Sequence, residues 1–289
     1  MKKVLLALLM SILALSAFGF DKQEEVLDGL RSGDYEDVRV LLEEWEKESP
    51  SDLDMMTGWF NYYLRRKAES KNVVGYMKNG QYGIYSQTIY DDKDLKTGIS
   101  YLDKALKKNP YRMDIHFGKI SSLLHAEKYS EASKAITDFL KVYGKNKTEW
   151  YWTNNMKFSE NDWNAEEIVL GSMQDYCSMF DYYADRSSAK KALDGILKLF
   201  PKNVIFLNYL SYYYSSGKEY DKAIEVLLKA YKIDPNDYII VGNLALNYEN
   251  TQNYKEAEKL YTIMSQMDSE DARIYAAEGL ERIKDQSNH

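Results

Sequence analysis

Apolar residues recur along this chain at the spacing of helices that bury one face and expose the other, most clearly between Leu170 and Asp271. Ala189 to Ala223 is 34, and Ala223 to Ala257 is 34 again; four positions after each comes a large apolar side chain, Leu193, Leu227 and Tyr261. Small residues form a second series at the same interval: Cys177, Ser211, Ala245 and Gly279. Pro201 and Pro235 keep it as well. In the clearest copy, residues 204–237, one helical face is filled by Leu207, Leu210, Ser211 and Tyr214. A second is filled by Ala223, Leu227 and Ala230, and Pro235 follows. Proline lacks an N–H and restricts the residue before it, so it ends one unit and starts the next. The small series marks places where two helix backbones approach closely. Each unit therefore reads as two antiparallel helices with an apolar face that only a neighbouring unit can cover.

Upstream the same signature continues with two breaks. Val38, Leu42, Trp45 and Pro50 return as Gly98, Leu102, Ala105 and Pro110, and Val38 to Gly98 is 60. The excess over one period places an insertion near residues 68–93, after a first helix from Asp52 to about Lys67 with Met56, Trp59, Phe60 and Tyr63 on its apolar face. The insertion carries Val73, Val74, Tyr82, Ile84 and Tyr85 among glycines, a composition for a loop or short hairpin. Its side chains either cover an edge of the stack or touch a ligand. From Gly98, Leu102 and Ala105 the count resumes to Ala132, Ile136 and Phe139, with a first helix Met113–His125 between them. Ala132 to Ala189 is 57, which places a second insertion at residues 147–169. It holds Trp150, Tyr151, Trp152 and Trp163, with Asp162 or Asn164 suited to cap a helix running towards Tyr176. These rings either seal the step between two halves of the stack or, beside asparagine side chains, stack on sugars or grip a peptide.

The repeated interval, with its alanine, small-residue and proline positions, resembles the tetratricopeptide repeat. That resemblance implies an all-α, right-handed superhelical solenoid of antiparallel helix pairs, with ligands held in a concave groove lined by the first helices. On this chain the groove positions are Gln174, Ser178 and Asp181, then Asn208, Tyr212, Ser215 and Ser216. The lysine and arginine set with which some members clamp a peptide's C-terminal carboxylate is missing here. The expected organisation is a signal peptide at 1–19 and degenerate units at 20–146. The aromatic insertion at 147–169 follows, then three regular units at 170–271 and a terminal helix at 272–289. In that last helix Arg273, Glu278, Glu281, Arg282 and Lys284 are expected to face solvent. The leader, Asp114-Ile115-His116-Phe117-Gly118-Lys119 and Trp150-Tyr151-Trp152 resemble segments of secreted repeat proteins of Gram-negative bacteria.

Composition narrows the picture. With 45% hydrophobic and 29% charged residues, the chain can bury a core. Lys2 and Lys3, an apolar run to Leu15, then Ser16-Ala17-Phe18-Gly19 form the pattern of a secretory signal cleaved after Gly19. The expected location is periplasmic or secreted, peripheral to a membrane at most. Losing that segment takes the net charge from −7 to about −9, which argues against nucleic-acid or anionic-membrane partners. The single cysteine, Cys177, falls in the small series and reads as packing. Gly-x-Gly-x-x-Gly, Walker and His-Glu-x-x-His motifs are absent, and His116 and His125 lie on opposite helix faces. Asp91-Asp92-Lys93-Asp94 reads as a helix start, with Asp92 or Asp94 at its positive end. Glu160, Asp162, Glu166 and Glu167 offer carboxylates for a hydrolase, and Asn146-Lys147-Thr148 matches a glycosylation acceptor. The expectation is a non-catalytic scaffold, without cofactor or metal, that binds a protein or peptide. The alternatives are a glycan binder using the inserted aromatics and, more remotely, a carboxylate-dependent hydrolase.

Overall fold

The computed structural model describes residues 21–76, 82–145, 149–183 and 185–287. The proposed signal peptide and the Asn146-Lys147-Thr148 acceptor lie outside them. The chain is mostly helical and divides into two compact units between Ser172 and Met173. No helix among the described residues is long and apolar enough to cross a membrane.

Unit 1 begins with α1 (Asp21–Ser32), α2 (Tyr35–Glu48) and α3 (Leu53–Arg65), then the antiparallel hairpin β1 (Glu69–Tyr76) and β2 (Tyr82–Ile89). It continues through α4 (Asp92–Lys108), α5 (Met113–His125) and α6 (Tyr129–Lys145), two short 3₁₀ turns at Thr153–Asn155 and Phe158–Glu160, and the first half of α7 (Ala165–Met179). Gly33, at φ 83°, makes the turn between α1 and α2 that a Cβ would strain. Val38, Leu42 and Trp45 of α2 are buried with Met56, Trp59 and Phe60 of α3 and Leu102 and Ala105 of α4 in one core. Trp59, Tyr63 and Tyr101 lie nearly parallel, with centroids 5.7 to 6.1 Å apart. The hairpin pairs Val73 with Tyr85 and Val74 with Ile84. Val74 and Ile84 are exposed. The cap of α4 differs from expectation: Asp91 accepts the Asp94 amide at 2.9 Å, whereas Asp94 is buried and takes the guanidinium of Arg66 at 2.6 Å.

Unit 2 holds the second half of α7, then α8 (Arg186–Leu199), α9 (Val204–Ser216), α10 (Tyr220–Ile233), α11 (Tyr238–Asn250), α12 (Tyr254–Ser265) and α13 (Glu270–Ser287). Each helix from α8 packs on the next, and α11 also touches α9 and α13. Ala189, Ala223 and Ala257 are all fully buried, as are Leu193, Leu227 and Tyr261 four positions on. The small series is buried throughout: Cys177, Ser211, Ala245 and Gly279. At Gly279 even a Cβ would fall inside the ring of Tyr261. Lys218 and Gln252, one repeat apart, both adopt the left-handed conformation that closes a helix. The next amide in each case reaches back to a carbonyl of the preceding helix, Glu219 to Tyr214 and Asn253 to Tyr248, both at 2.9 Å. On α13 Arg273, Glu278, Glu281 and Lys284 are exposed as expected. Arg282 instead turns inward to Glu249 at 3.1 Å and to the Tyr261 hydroxyl at 3.1 Å.

Candidate functional site

The first helices of unit 2 are set by their caps. Asn203 accepts the amides of Ile205 and Phe206 to start α9, and Asp237, one repeat later, accepts those of Ile239 and Ile240 to start α11. Helical spacing then puts Ile205, Asn208 and Tyr212 on one face of α9, and Ile239, Asn243 and Leu246 on one face of α11. The two faces meet: the Asn243 amide nitrogen donates to the Asn208 side-chain oxygen at 2.8 Å. Deeper on the same helices the Ser215 hydroxyl donates to the Asn247 oxygen at 2.7 Å, and the Asn247 nitrogen donates to the Asn243 carbonyl at 2.7 Å. Ile205 and Ile239 remain 40% and 48% exposed, and Tyr212 46%. The Tyr212 ring stands edge-on to Tyr182 at 5.2 Å, and burial together with a hydrogen bond to Tyr183 pushes its phenol up to about 12.

This face joins two of the sequence-assigned groove positions. Asn208 and Tyr212 lie on it. Gln174 and Ser178 are exposed on α7, and the Ser178 hydroxyl donates to the Asp175 carbonyl of its own helix at 2.6 Å. Ser216 turns away to Arg186, which donates to it at 2.8 Å. Sequence reasoning missed Ile205, Ile239 and Asn243, although the two isoleucines stand one repeat apart. An asparagine side chain both donates and accepts, as an extended peptide backbone requires, and exposed isoleucine and tyrosine side chains flank the amide pair.

The second insertion is built into unit 1. Trp150 is 1% exposed, and its ring packs on Tyr111, Phe139 and Tyr143 at 5.6 to 5.9 Å between centroids. Tyr151, Trp152 and Trp163 are half-buried. The Tyr151 amide donates to the Tyr111 carbonyl and the Tyr151 carbonyl accepts the Met113 amide, both at 2.9 Å. A helix start leaves its first amides without partners, so here the insertion supplies what a capping side chain supplies elsewhere. The residue at the cap position of α5 is Arg112, fully buried, which donates to Asp54 at 2.6 Å and to Asp114 at 2.8 and 2.9 Å. Asp54 also accepts the Asn154 amide at 3.2 Å and the Thr153 hydroxyl at 3.4 Å.

Of the titratable groups, His116 is buried against Phe139 and Trp150, and burial holds its imidazole below the ordinary histidine range. Its Nε2 lies 2.9 Å from the Pro110 carbonyl. His125 is exposed at the end of α5, in contrast to the buried His116. Burial pushes the Cys177 thiol up, which suits a packing role. Glu160, Asp162, Glu166 and Glu167 are all exposed, so no walled pair is built from them. No group of three or more potential metal ligands occurs among the described residues.

Residues 184–238 match the tetratricopeptide-repeat family model. Several solved structures are similar to this chain. That of MamA is 18% identical, covers 68% of this chain and 94% of its own, and superposes with a TM-score of 0.38. That of YrrB, described as a tetratricopeptide-repeat protein with an unusual peptide-binding site, is 11% identical and covers 83% and 97% of the two chains at a TM-score of 0.43. The human IFIT1 dimer with PPP-AAAA is 16% identical, with 86% of this chain and 50% of that one covered at a TM-score of 0.36. The curated proteins contain no match.

Proposed function

We propose that this chain, whose residues 184–238 match the tetratricopeptide-repeat model, is an exported, non-catalytic scaffold whose unit 2 holds an extended protein segment along the first-helix face. The observation that carries this reading is the Asn208–Asn243 amide pair between two exposed isoleucines one repeat apart. An extended strand presents backbone donors and acceptors in alternation, and side chains to either side. Asparagine amides satisfy the first, and Ile205, Ile239 and Tyr212 take the second. The face carries no cluster of basic residues, so the segment is recognised through its backbone and apolar side chains rather than a terminal carboxylate. Export rests on the leader pattern of residues 1–20, and its test is the N-terminal sequence of the mature protein, expected to begin at Phe20.

The binding reading is tested by selecting a random-peptide display library on the intact protein and measuring enriched peptides by fluorescence polarisation. Replacing Ile239 by Asp together with Asn243 by Ala should weaken binding by about tenfold or more, equal to ~1.4 kcal/mol or more. A library that yields no binder, or binders indifferent to that double change, removes the proposal.

A further inference from the structure

Charge is divided between the two kinds of helix in unit 2. From Met173 on, the first helices α7, α9 and α11 contain no lysine, arginine or histidine, and their charged residues are Asp175 and Glu249. The second helices α8, α10 and α12 all carry lysines. Glu249 is already compensated, since Arg282 donates to it at 3.1 Å. Arg186, which reaches the first helices at Ser216, is held by Glu219 at 3.2 Å and lies over the Tyr213 ring. Asp175 has no such partner: among the described residues its carboxylate makes no hydrogen bond or ion pair, and burial raises it with no cation to lower it.

Asp175 belongs to the binding face. Asp175 to Tyr209 is 34 and Tyr209 to Asn243 is 34, so the three occupy one register position on α7, α9 and α11. Asp175 is half-buried, and its charge is felt by the phenol of Tyr209. At the same end of the face Tyr183 is 71% exposed and Tyr212 46%, so these two rings are open to a partner. Asp181 accepts the Tyr183 amide at 2.8 Å, and its charge reaches Tyr212. The α7 end of the face is therefore acidic and aromatic, and the α11 end carries the isoleucine and asparagine side chains. A carboxylate partly withdrawn from water without a cation is a standing cost, which a cation brought by a partner removes. A neutral segment leaves that cost in place, and an acidic one adds to it.

We propose that the segment held by the first-helix face is basic, with a lysine or arginine side chain paired to Asp175 at the end of the face where Tyr183 and Tyr212 are open. This rests on the reading of that face as the peptide site and adds the sign of the charge it selects.

The test runs parallel selections from one random-peptide display library on the intact wild type, on Asp175→Asn and on Asp175→Lys. Glu258→Gln is the control, because Glu258 is exposed on the second helix α12 and its loss removes the same charge elsewhere. The wild-type pool should hold lysine and arginine at about twice their starting frequency or more, and the Asp175→Lys pool should turn to aspartate and glutamate. By fluorescence polarisation, the tightest wild-type peptide should bind Asp175→Asn about tenfold more weakly, and lose as much when its basic residue is replaced by norleucine. The two changes together should cost no more than either alone. The norleucine arm needs no protein variant. Binders that need Ile239 and Asn243 but are not enriched in basic residues, or that lose as much in Glu258→Gln as in Asp175→Asn, overturn this inference and leave the peptide face standing. An Asp175→Lys pool as basic as that of the wild type does the same. A library without binders removes both.

Discussion

In unit 2 the first helices α9 and α11 start from the same kind of residue at the same place, two positions after a proline: Asn203 after Pro201 and Asp237 after Pro235. Unit 1 repeats this at Asp52 after Pro50, where Asp52 accepts the amides of Asp54 and Met55. At the fourth proline the rule breaks, and Arg112 stands after Pro110 with a side chain that accepts no amide of the helix it begins. The lost cap and the second insertion belong together. The insertion supplies the Tyr151 carbonyl to the start of α5, and Arg112 joins the first turns of α3 and α5 by holding Asp54 and Asp114. The hairpin turn of α5 and α6 is otherwise the one seen in unit 2, with Glu127 left-handed and the Lys128 amide bonded to the Leu123 carbonyl at 2.8 Å. Regular repeats thus rest on small residues and local caps, which any neighbour of the same kind supplies. The irregular ones rest on a buried charge cluster and rings that only this arrangement satisfies.

The largest expected effect tests that cluster. Arg112→Met removes the cation and leaves Asp54 buried without its ionic partner, at a cost of about 3–5 kcal/mol. All five tryptophans, at positions 45, 59, 150, 152 and 163, lie in unit 1, so urea unfolding followed by tryptophan fluorescence reads this unit alone. The double change Arg112→Met with Asp54→Leu removes both charges and should recover most of the loss. A single variant as stable as the wild type would mean that the cluster holds nothing together.

The matching change in unit 2 is Gly279→Leu. No side chain fits there without displacing the Tyr261 ring, and overpacking of this kind costs about 1–3 kcal/mol. Ser211→Ala is its control in the same series, because the Ser211 hydroxyl bonds only to the Asn208 carbonyl of its own helix, at 2.7 Å. Both are read by the thermal midpoint in circular dichroism. The tryptophan signal of Gly279→Leu should change little. A Gly279→Leu midpoint equal to that of Ser211→Ala would break the claim that close approach dictates the small residues.

The repeat was legible because its constraint is periodic: Ala223 cannot be enlarged for the same reason that Ala189 and Ala257 cannot, so the reason is written three times. That register alone put Asn208 and Tyr212 on one face of one helix, where the structure has them. Asn243 was not legible, because it occupies a neighbouring register position, and only its bond to Asn208 places it on the same face. Arg112 was hidden for a different cause. Its partners are far away in the chain at Asp54 and two positions away at Asp114, and nothing local in the sequence says that a charged residue after a proline will be buried. The one clue is comparative, since three of the four prolines are followed at that position by an Asn or Asp cap and the fourth is not. The rings of the second insertion were recognised as unusual, but a sequence does not distinguish a tryptophan that seals a core from one that faces a ligand. Trp150 does the first.

The smallest expected effect separates the two units by pH. In unit 2 the buried groups Tyr176, Cys177, Tyr182 and Tyr261 are all pushed further up from already alkaline values, so they stay neutral across the physiological range. In unit 1 burial lowers His116, so the folded chain keeps it neutral at a pH where the unfolded chain, with an ordinary value near 6.5, has taken a proton. The unfolded state then binds more protons, and stability falls as pH falls from about 7.5 towards the folded value, by at most ~1.4 kcal/mol per pH unit. Asp54, raised by its burial, contributes with the opposite sign in its own window above about 3.9, but equally in wild type and variant. The comparison is therefore wild type against His116→Phe, a ring that keeps the packing on Phe139 and Trp150 and cannot titrate. Urea midpoints by tryptophan fluorescence at pH 7.5, 6.5 and 5.5 should fall for the wild type and fall less for the variant. Parallel slopes would show that His116 is not held neutral by the fold, and the contrast between a pH-sensitive unit 1 and an insensitive unit 2 would lose its cause.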